Sequence, residues 1–220
     1  MNITNDKVTE YINRFYLPED DQLAALRVSA EKDRVPIILK ETESFLRTLL
    51  ELKQPEAILE IGAAVGYSAS FFARVCPAAK IATIEKDEMV YQKARDNIKK
   101  LGLEDRVSIF NGDGERMIEF LRDNGDLRYD FVFIDAAKSH YKRFLEAAIT
   151  VCKPGALIVS DNILMKAMTA DDSFDKSARH KTNIRKMREY VEFINDCEYL
   201  STSIISCGDG LALSIYTPAV

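Results

Sequence analysis

Oxygen-bearing side chains recur in this chain at the ends of apolar runs, where a strand would pass them to a turn. The stretch "ILEIGAAVGYSAS", residues 58–70, carries Glu60, Gly62 and Gly66; Glu85 directly follows "KIATI"; Asp135 follows "YDFVFI"; Asp161 and Asn162 follow "ALIVS". A glycine turn between a strand and a helix start lets backbone N–H groups receive a ligand. The dinucleotide form of that turn is G-x-G-x-x-G, whereas this one reads Glu60-x-Gly62-x-x-x-Gly66, with a carboxylate where a pyrophosphate would be repelled. A ligand with a cationic amino-acid portion and no phosphate fits better. Glu85 lies about twenty residues past the turn, the spacing at which an acid accepts hydrogen bonds from both ribose hydroxyls. Together these residues point to S-adenosylmethionine, although each glycine alone is also an ordinary turn residue.

Asp135, Asp161 and Asn162 fall at the ends of neighbouring strands, on the edge where open α/β sheets bind ligands. Two carboxylates and an amide oxygen suit a hard divalent cation such as Mg²⁺, with Mn²⁺ or Ca²⁺ as alternatives. Taken singly, each could equally cap a helix or make a turn. A hydroxyl brought to such a cation loses its proton more readily and can attack a sulfonium methyl in line.

The elements that must position these residues begin with helices. Residues 5–16 and 20–32 carry helical apolar spacing, and Pro36 suits the first turn of a third helix running to about Leu52. Strands are predicted at 57–61, 80–84, 107–110, 129–134 and 156–160, nearly continuous in apolar character as buried parallel strands are. Helices fill the gaps, among them "SASFFARVC", "EMVYQKARDNIKKLG" and "HYKRFLEAAITVC", with Gly102 and Pro154-Gly155 as punctuation. The last segment reads as two strands around Gly208-Asp209-Gly210. The expected architecture is α/β: a Rossmann-like doubly wound sheet of about seven strands with an antiparallel C-terminal hairpin and an N-terminal helical cap. One domain is expected over 1–220, the cap being 1–53 and the core 54–220.

Composition narrows the classes further. The 220 residues are 47% hydrophobic, enough for a substantial core. No apolar stretch approaches the roughly 20 residues of a membrane span, and "MNITNDKVTE" lacks a signal core, so a cytoplasmic protein is expected. Cys76, Cys152, Cys197 and Cys207 are scattered without a C-x-x-C pair and read as reduced thiols. A net charge of −5 argues against broad nonspecific attachment to nucleic acid but leaves room for a local basic patch.

The motifs "LEIGAAVGYSAS", "ATIEKD", "NGDG", "FIDAAKSHY", "VSDNIL" and "CGDGLALS", over roughly residues 35–217, together resemble the cation-dependent O-methyltransferases. This is the family of catechol and caffeoyl-CoA O-methyltransferases, and within it the chain is most similar to the bacterial tRNA 5-hydroxyuridine methyltransferases. The resemblance implies that Asp135, Asp161 and Asn162 ligate the cation and that Glu85 holds the ribose. It further implies that Glu60, Gly62 and Ser68 line the methionine end, that Asp113 and Gly114 lie beside the adenine, and that Ile38 contacts the cofactor from the cap. Lys138 matches the lysine beside the acceptor oxygen, either as a base or as an orienting cation. His140 reads as a surface residue and Tyr141 as packing under the following helix. A homodimer is the family expectation. The chain departs from the small-phenol enzymes in having no tryptophan to clamp a ring, and Ala137 stands where a wall or a substrate-facing carboxylate would be expected.

After Asn162 comes a long connection and then a basic run of Lys176, Arg179, Lys181, Arg185, Lys186 and Arg188. Such a run is either a solvated helix face or a set of phosphate contacts at the mouth of the site. The expected activity is methylation of 5-hydroxyuridine in tRNA to 5-methoxyuridine. The alternatives are a catechol- or caffeoyl-type enzyme and, outside enzymes, an idle S-adenosylmethionine- or RNA-binding module.

Overall fold

The protein is described by a computed structural model covering residues 5–177 and 179–218. Three helices lead: α1 (Asp6–Asn13), α2 (Asp21–Lys32) and α3 (Lys40–Lys53). Alternation follows, with β1 (Ala57–Ile61), α4 (Tyr67–Val75), β2 (Lys80–Glu85), α5 (Glu88–Lys100), β3 (Val107–Asn111), α6 (Gly114–Asn124), β4 (Tyr129–Ile134), α7 (Tyr141–Ile149) and β5 (Cys152–Ser160). The chain closes with α8 (Lys181–Asp196), β6 (Leu200–Ile205) and β7 (Leu211–Tyr216). The sheet runs β3-β2-β1-β4-β5-β7-β6, parallel through β5 and antiparallel at β7 and β6. The order reverses between β1 and β4, so loops leaving their carboxyl ends diverge and open a crevice there.

Strand side chains alternate faces, and the core divides accordingly. Ile58, Phe131 and Phe133 join the buried cluster under α2, α3 and α4, while Leu59, Val132 and Ile134 join the one under α6, α7 and α8. Phe72 on α4 meets Phe131 and Phe133 edge-on at 5.9 and 5.4 Å, and each such buried ring contributes about 1.5–3 kcal/mol. Helix starts are fixed by side-chain caps: Asp20 accepts from Leu23 N at 2.7 Å and Asp87 from Val90 N at 3.0 Å. Among the described residues no helix is long and apolar enough to cross a membrane.

The first helix ends at Asn13 instead of residue 16, and the third helix and fifth strand also depart from the sequence expectation. The third helix starts at Lys40 instead of Pro36, because the Ile38 carbonyl is held by the Arg27 guanidinium at 3.0 Å, leaving residues 36–38 outside the helix. Pro154-Gly155 does not precede the fifth strand but lies inside it, where the β4–β5 register shifts between Tyr129 and Phe131. Proline has no N–H for the ladder, so the strand absorbs it as a bulge.

Candidate functional site

The carboxyl ends of β1, β2 and β4 open into a cavity of about 460 Å³. Gly62 sits at its floor with φ +105°, and a Cβ there would lie 2.0 Å from the Asp135 carbonyl oxygen, so only glycine lets the β1 and β4 loops approach. Glu85 lines the wall; its Oε2 accepts from Ala64 N at 3.0 Å and its Oε1 from Asp87 N at 2.9 Å, leaving further lone pairs toward the space. Asp113 and Gly114 line the far side, and Ile38 with Pro36 and Ile37 covers the cavity from the cap. Ser68 also lines it.

Glu60 does not reach the cavity wall. It is fully buried, its carboxylate accepting from the Ser68 and Thr83 hydroxyls, so it positions Ser68 from behind. Burial pushes its carboxyl up to about 7, against the pull of those two hydroxyls. Asp113 is held below the usual carboxylate range by Arg143, which donates to both its oxygens at 3.0 and 2.7 Å. Sequence reasoning did not identify Arg143: it lies on α7, thirty residues from its partner, and carries no motif.

Asp135, Asp161 and Asn162 come together at the ends of β4 and β5. Lys138 Nζ bonds two of them, 3.0 Å from Asp135 Oδ1 and 2.9 Å from Asn162 Oδ1, and lies 2.7 Å from the Tyr141 hydroxyl. Three acceptors thus surround the Lys138 amino group. Asp161 is buried and its Oδ1 accepts from Asn162 N and Nδ2 at 2.6 and 2.9 Å; burial, with the charge of Asp135 adding, pushes its carboxyl up. Asn162 takes the left-handed conformation, φ +56°, which asparagine tolerates better than most residues. Among the described residues no three His, Cys, Asp or Glu side chains converge as a metal group. Asp135 and Asn162 turn oxygens onto the Lys138 ammonium while the Asp161 carboxylate accepts from Asn162, so the donor types gathered here are two carboxylates and an amide, all oxygen. Those residues therefore fit a hard divalent cation.

Tyr141 does more than pack. It is buried, and its hydroxyl accepts from Lys138 while donating to the Asp161 carbonyl at 2.7 Å. His140 lines the cavity with its ring edge-on to Phe144 at 5.9 Å, not out on the surface. The Lys138-x-x-Tyr141 spacing, one helical turn, was the available signal for that pair.

A second cavity of about 600 Å³ adjoins the first and shares Lys138 and Asn162 with it. Met165, Met168 and Phe174 give it an apolar side; Lys166, Lys176 and His180 line it together with the carboxylates Asp175 and Asp209. Of the basic run, Lys176 lines this cavity, and Arg179 and Lys181 are exposed. Arg185 and Lys186 pair with Glu189 at 3.5 and 2.7 Å. Arg188 departs from the expected solvent-facing role: it donates to the Met168 and Thr169 carbonyls at 3.2 and 2.8 Å and to Asp172 at 2.8 Å, bracing the loop after Asn162. That loop is hooked from its other side as well. Ile163 N donates to the Gly210 carbonyl, Leu164 N to the Asp209 carbonyl and Lys166 N to Asp209 Oδ1, across a turn in which Met165, Lys166 and Ala167 are all left-handed.

With this fold and these paired cavities, the chain belongs to the O-methyltransferase family, whose model matches residues 15–216. It is 32% identical over 176 residues to the catechol O-methyltransferase of Niastella koreensis, covering 79% of this chain and 80% of that one. It is 29% identical over 213 residues to the caffeoyl-CoA O-methyltransferase of Populus kitakamiensis, covering 92% and 89%. The crystal structure of a candidate caffeoyl-CoA O-methyltransferase from Staphylococcus aureus matches with a TM-score of 0.86 at 30% identity, over 96% of this chain and 99% of that one.

Proposed function

We propose that the protein transfers the methyl group of S-adenosylmethionine to an acceptor hydroxyl with the help of a divalent cation, and that the acceptor is 5-hydroxyuridine in tRNA. The observation that carries the reading is the meeting of two cavities at Lys138 and Asn162. One cavity has the features of a donor pocket and the other has room for an acceptor, with the oxygen cluster between them.

S-adenosylmethionine, when bound, supplies an electrophilic methyl on a sulfonium. A hard cation such as Mg²⁺, held by Asp135, Asp161 and Asn162, supplies Lewis acidity toward the acceptor hydroxyl. The chain's own residues do the rest. Glu85 accepts from the ribose hydroxyls, and the absence of a Cβ at Gly62 lets the β1 loop sit against Asp135, so that both line the one cavity. Asp113, fixed by Arg143, borders the adenine end. Residues 36–38 cover the cavity and exclude water. Lys138, at the junction of the two cavities, orients the acceptor oxygen by exchanging one of its three present partners for it.

Lys166 and Lys176 in the second cavity, beside Asp175 and Asp209, and the basic run that continues along α8 support an acceptor that carries phosphate, and the lack of tryptophan gives no ring clamp for a free phenol. The names of the Niastella and Populus relatives favour a second reading, a catechol or caffeoyl acceptor. The test is methyl transfer from labelled S-adenosylmethionine to hydroxyuridine-containing tRNA and to catechol, across a salt series. Efficient, salt-sensitive methylation of the tRNA is expected. Turnover of catechol with no activity on tRNA would replace the first reading by the second.

A further inference from the structure

The cap holds a buried charge that the donor cavity does not itself contain. Arg27 on α2 is 4% exposed and Glu43 on α3 is fully buried, and the two form an ion pair. Arg27 Nε also donates to the Tyr16 and Tyr67 hydroxyls, both at 3.1 Å, and those hydroxyls donate in turn to Glu43 at 2.8 and 2.7 Å. The guanidinium lies over the Tyr67 ring, 4.6 Å from its centroid. Arg27 Nη1 pairs with Glu31 at 3.2 Å, and the informative contact is that of Nη2, which donates to the Ile38 carbonyl at 3.0 Å.

Ile38 and Tyr67 are both cavity-lining residues, and both are gripped from behind by the same guanidinium. Residues 36–38 have no helix or strand to hold them. They also have a cavity on each side, since Pro36, Ile37 and Ile38 line both the donor cavity and a third one of about 430 Å³ within the cap. A segment open on two faces depends on whatever anchors its backbone, and here that anchor is a rigid, multiply bonded fork.

We propose that Arg27 is a positioning residue for the methyl donor: it fixes residues 36–38 against the donor cavity and thereby sets how tightly and how long S-adenosylmethionine is held. The proposal rests on the reading of that cavity as the cofactor site. Arg27 acts from the far side of the segment and makes its effect through Ile38 and Tyr67.

Removing Arg27 alone would strand the Glu43 carboxylate in the interior, so the test pairs Arg27→Met with Glu43→Gln, which keeps an acceptor for the two tyrosines without a buried charge. Arg27→Lys, which keeps the charge but loses the fork, is the second variant. Leu50→Ala, elsewhere in the cap at a fully buried position, serves as a control for general destabilisation. Calorimetry and stopped-flow with S-adenosylmethionine, thermal melts, and KM values for donor and acceptor are measured for each. The double variant is expected to raise the Kd and KM for S-adenosylmethionine about tenfold through faster release, with the acceptor KM within twofold. Arg27→Lys should fall between it and wild type, and Leu50→Ala should lower Tm at least as much while leaving donor affinity within twofold. Donor binding unchanged in both Arg27 variants, or weakened no more than by Leu50→Ala, overturns the proposal; if only Arg27→Lys folds, its comparison with Leu50→Ala decides. A wild-type protein that binds no S-adenosylmethionine overturns the cofactor reading itself, and this inference with it.

Discussion

The Tyr141 hydroxyl stands 2.7 Å from Lys138 Nζ and accepts one of its protons while passing its own to the Asp161 carbonyl. Burial, reinforced by Asp135 and Asp161, keeps the phenol far above its ordinary pKa, so it remains a neutral relay between the lysine and the end of β5. Tyr141→Phe removes one of the three acceptors that aim Lys138 and leaves a buried carbonyl unpaired. Turnover is expected to fall about tenfold to a hundredfold, the equivalent of one hydrogen bond to a charged group, with donor affinity unchanged. Steady-state kinetics beside donor calorimetry check both halves of that statement.

Glu85 should matter in the opposite way. Glu85→Ala removes the acceptor proposed for the ribose and also the partner of Ala64 N, and donor binding is expected to weaken by ~1–3 kcal/mol. Unchanged affinity in a folded variant would remove Glu85 from the site.

Glu60 links the site to pH. Its folded pKa of about 7 lies above the ordinary carboxylate value of 4.5, so between those limits the folded protein keeps a proton that the unfolded chain gives up. That contribution to stability is complete below about pH 4.5 and is lost as pH rises through 7, on the order of 3 kcal/mol at most. Glu60→Gln cannot titrate. Denaturant unfolding from pH 4 to 8 is expected to give a variant whose stability, relative to wild type, improves steadily over that window, and a constant difference would contradict the assignment.

The oxygen cluster has its own signature. Asp161→Ala combined with Asn162→Ala is expected to abolish turnover and any response to added Mg²⁺, with donor affinity within a few-fold of wild type. Full wild-type activity in excess chelator would falsify the cation requirement.

The basic run divides into two groups with different expected behaviour. If tRNA phosphates lie along the second cavity, Lys176→Ala and Arg185→Ala should each lower the slope of log K against log salt by about 0.7–0.9. Arg188→Ala should leave the slope alone and lower the melting temperature, because its bonds go to Met168, Thr169 and Asp172. Equal salt slopes for all three variants would argue against phosphate contact at Lys176 and Arg185.

What the sequence made legible follows a physical division. Glu85, Asp135, Asp161 and Asn162 could be placed because each sits at the end of an apolar run, and the end of a buried strand is a local signal. Gly62 and Gly66 could be placed because positive φ restricts residue choice. Glu60 was found but assigned to the wrong side of Ser68, since its neighbour Thr83 comes from the adjacent strand and only sheet register brings them together. Arg27 with Glu43, and Arg143 with Asp113, are pairs made by tertiary packing between residues 16 and 30 positions apart; no periodicity announces them. Arg188 misled for a related reason. A charge run reads as a solvated face until a loop from elsewhere folds over one of its members.

The hooks from Asp209 and Gly210 onto the loop after Asn162 also bear on the order in which a growing chain gains its parts. The donor cavity is lined by residues between 36 and 162, whereas the wall of the second cavity depends on a hairpin that leaves the ribosome about fifty residues later. During synthesis a nascent chain therefore has the material for the first chamber well before the second can close. Until β7 pairs with β5, bringing Ala212 against Ser160, the loop carrying Lys166 has its brace from Arg188 but not its clasp from Asp209, so the wall of the second cavity is completed by strands made after α8.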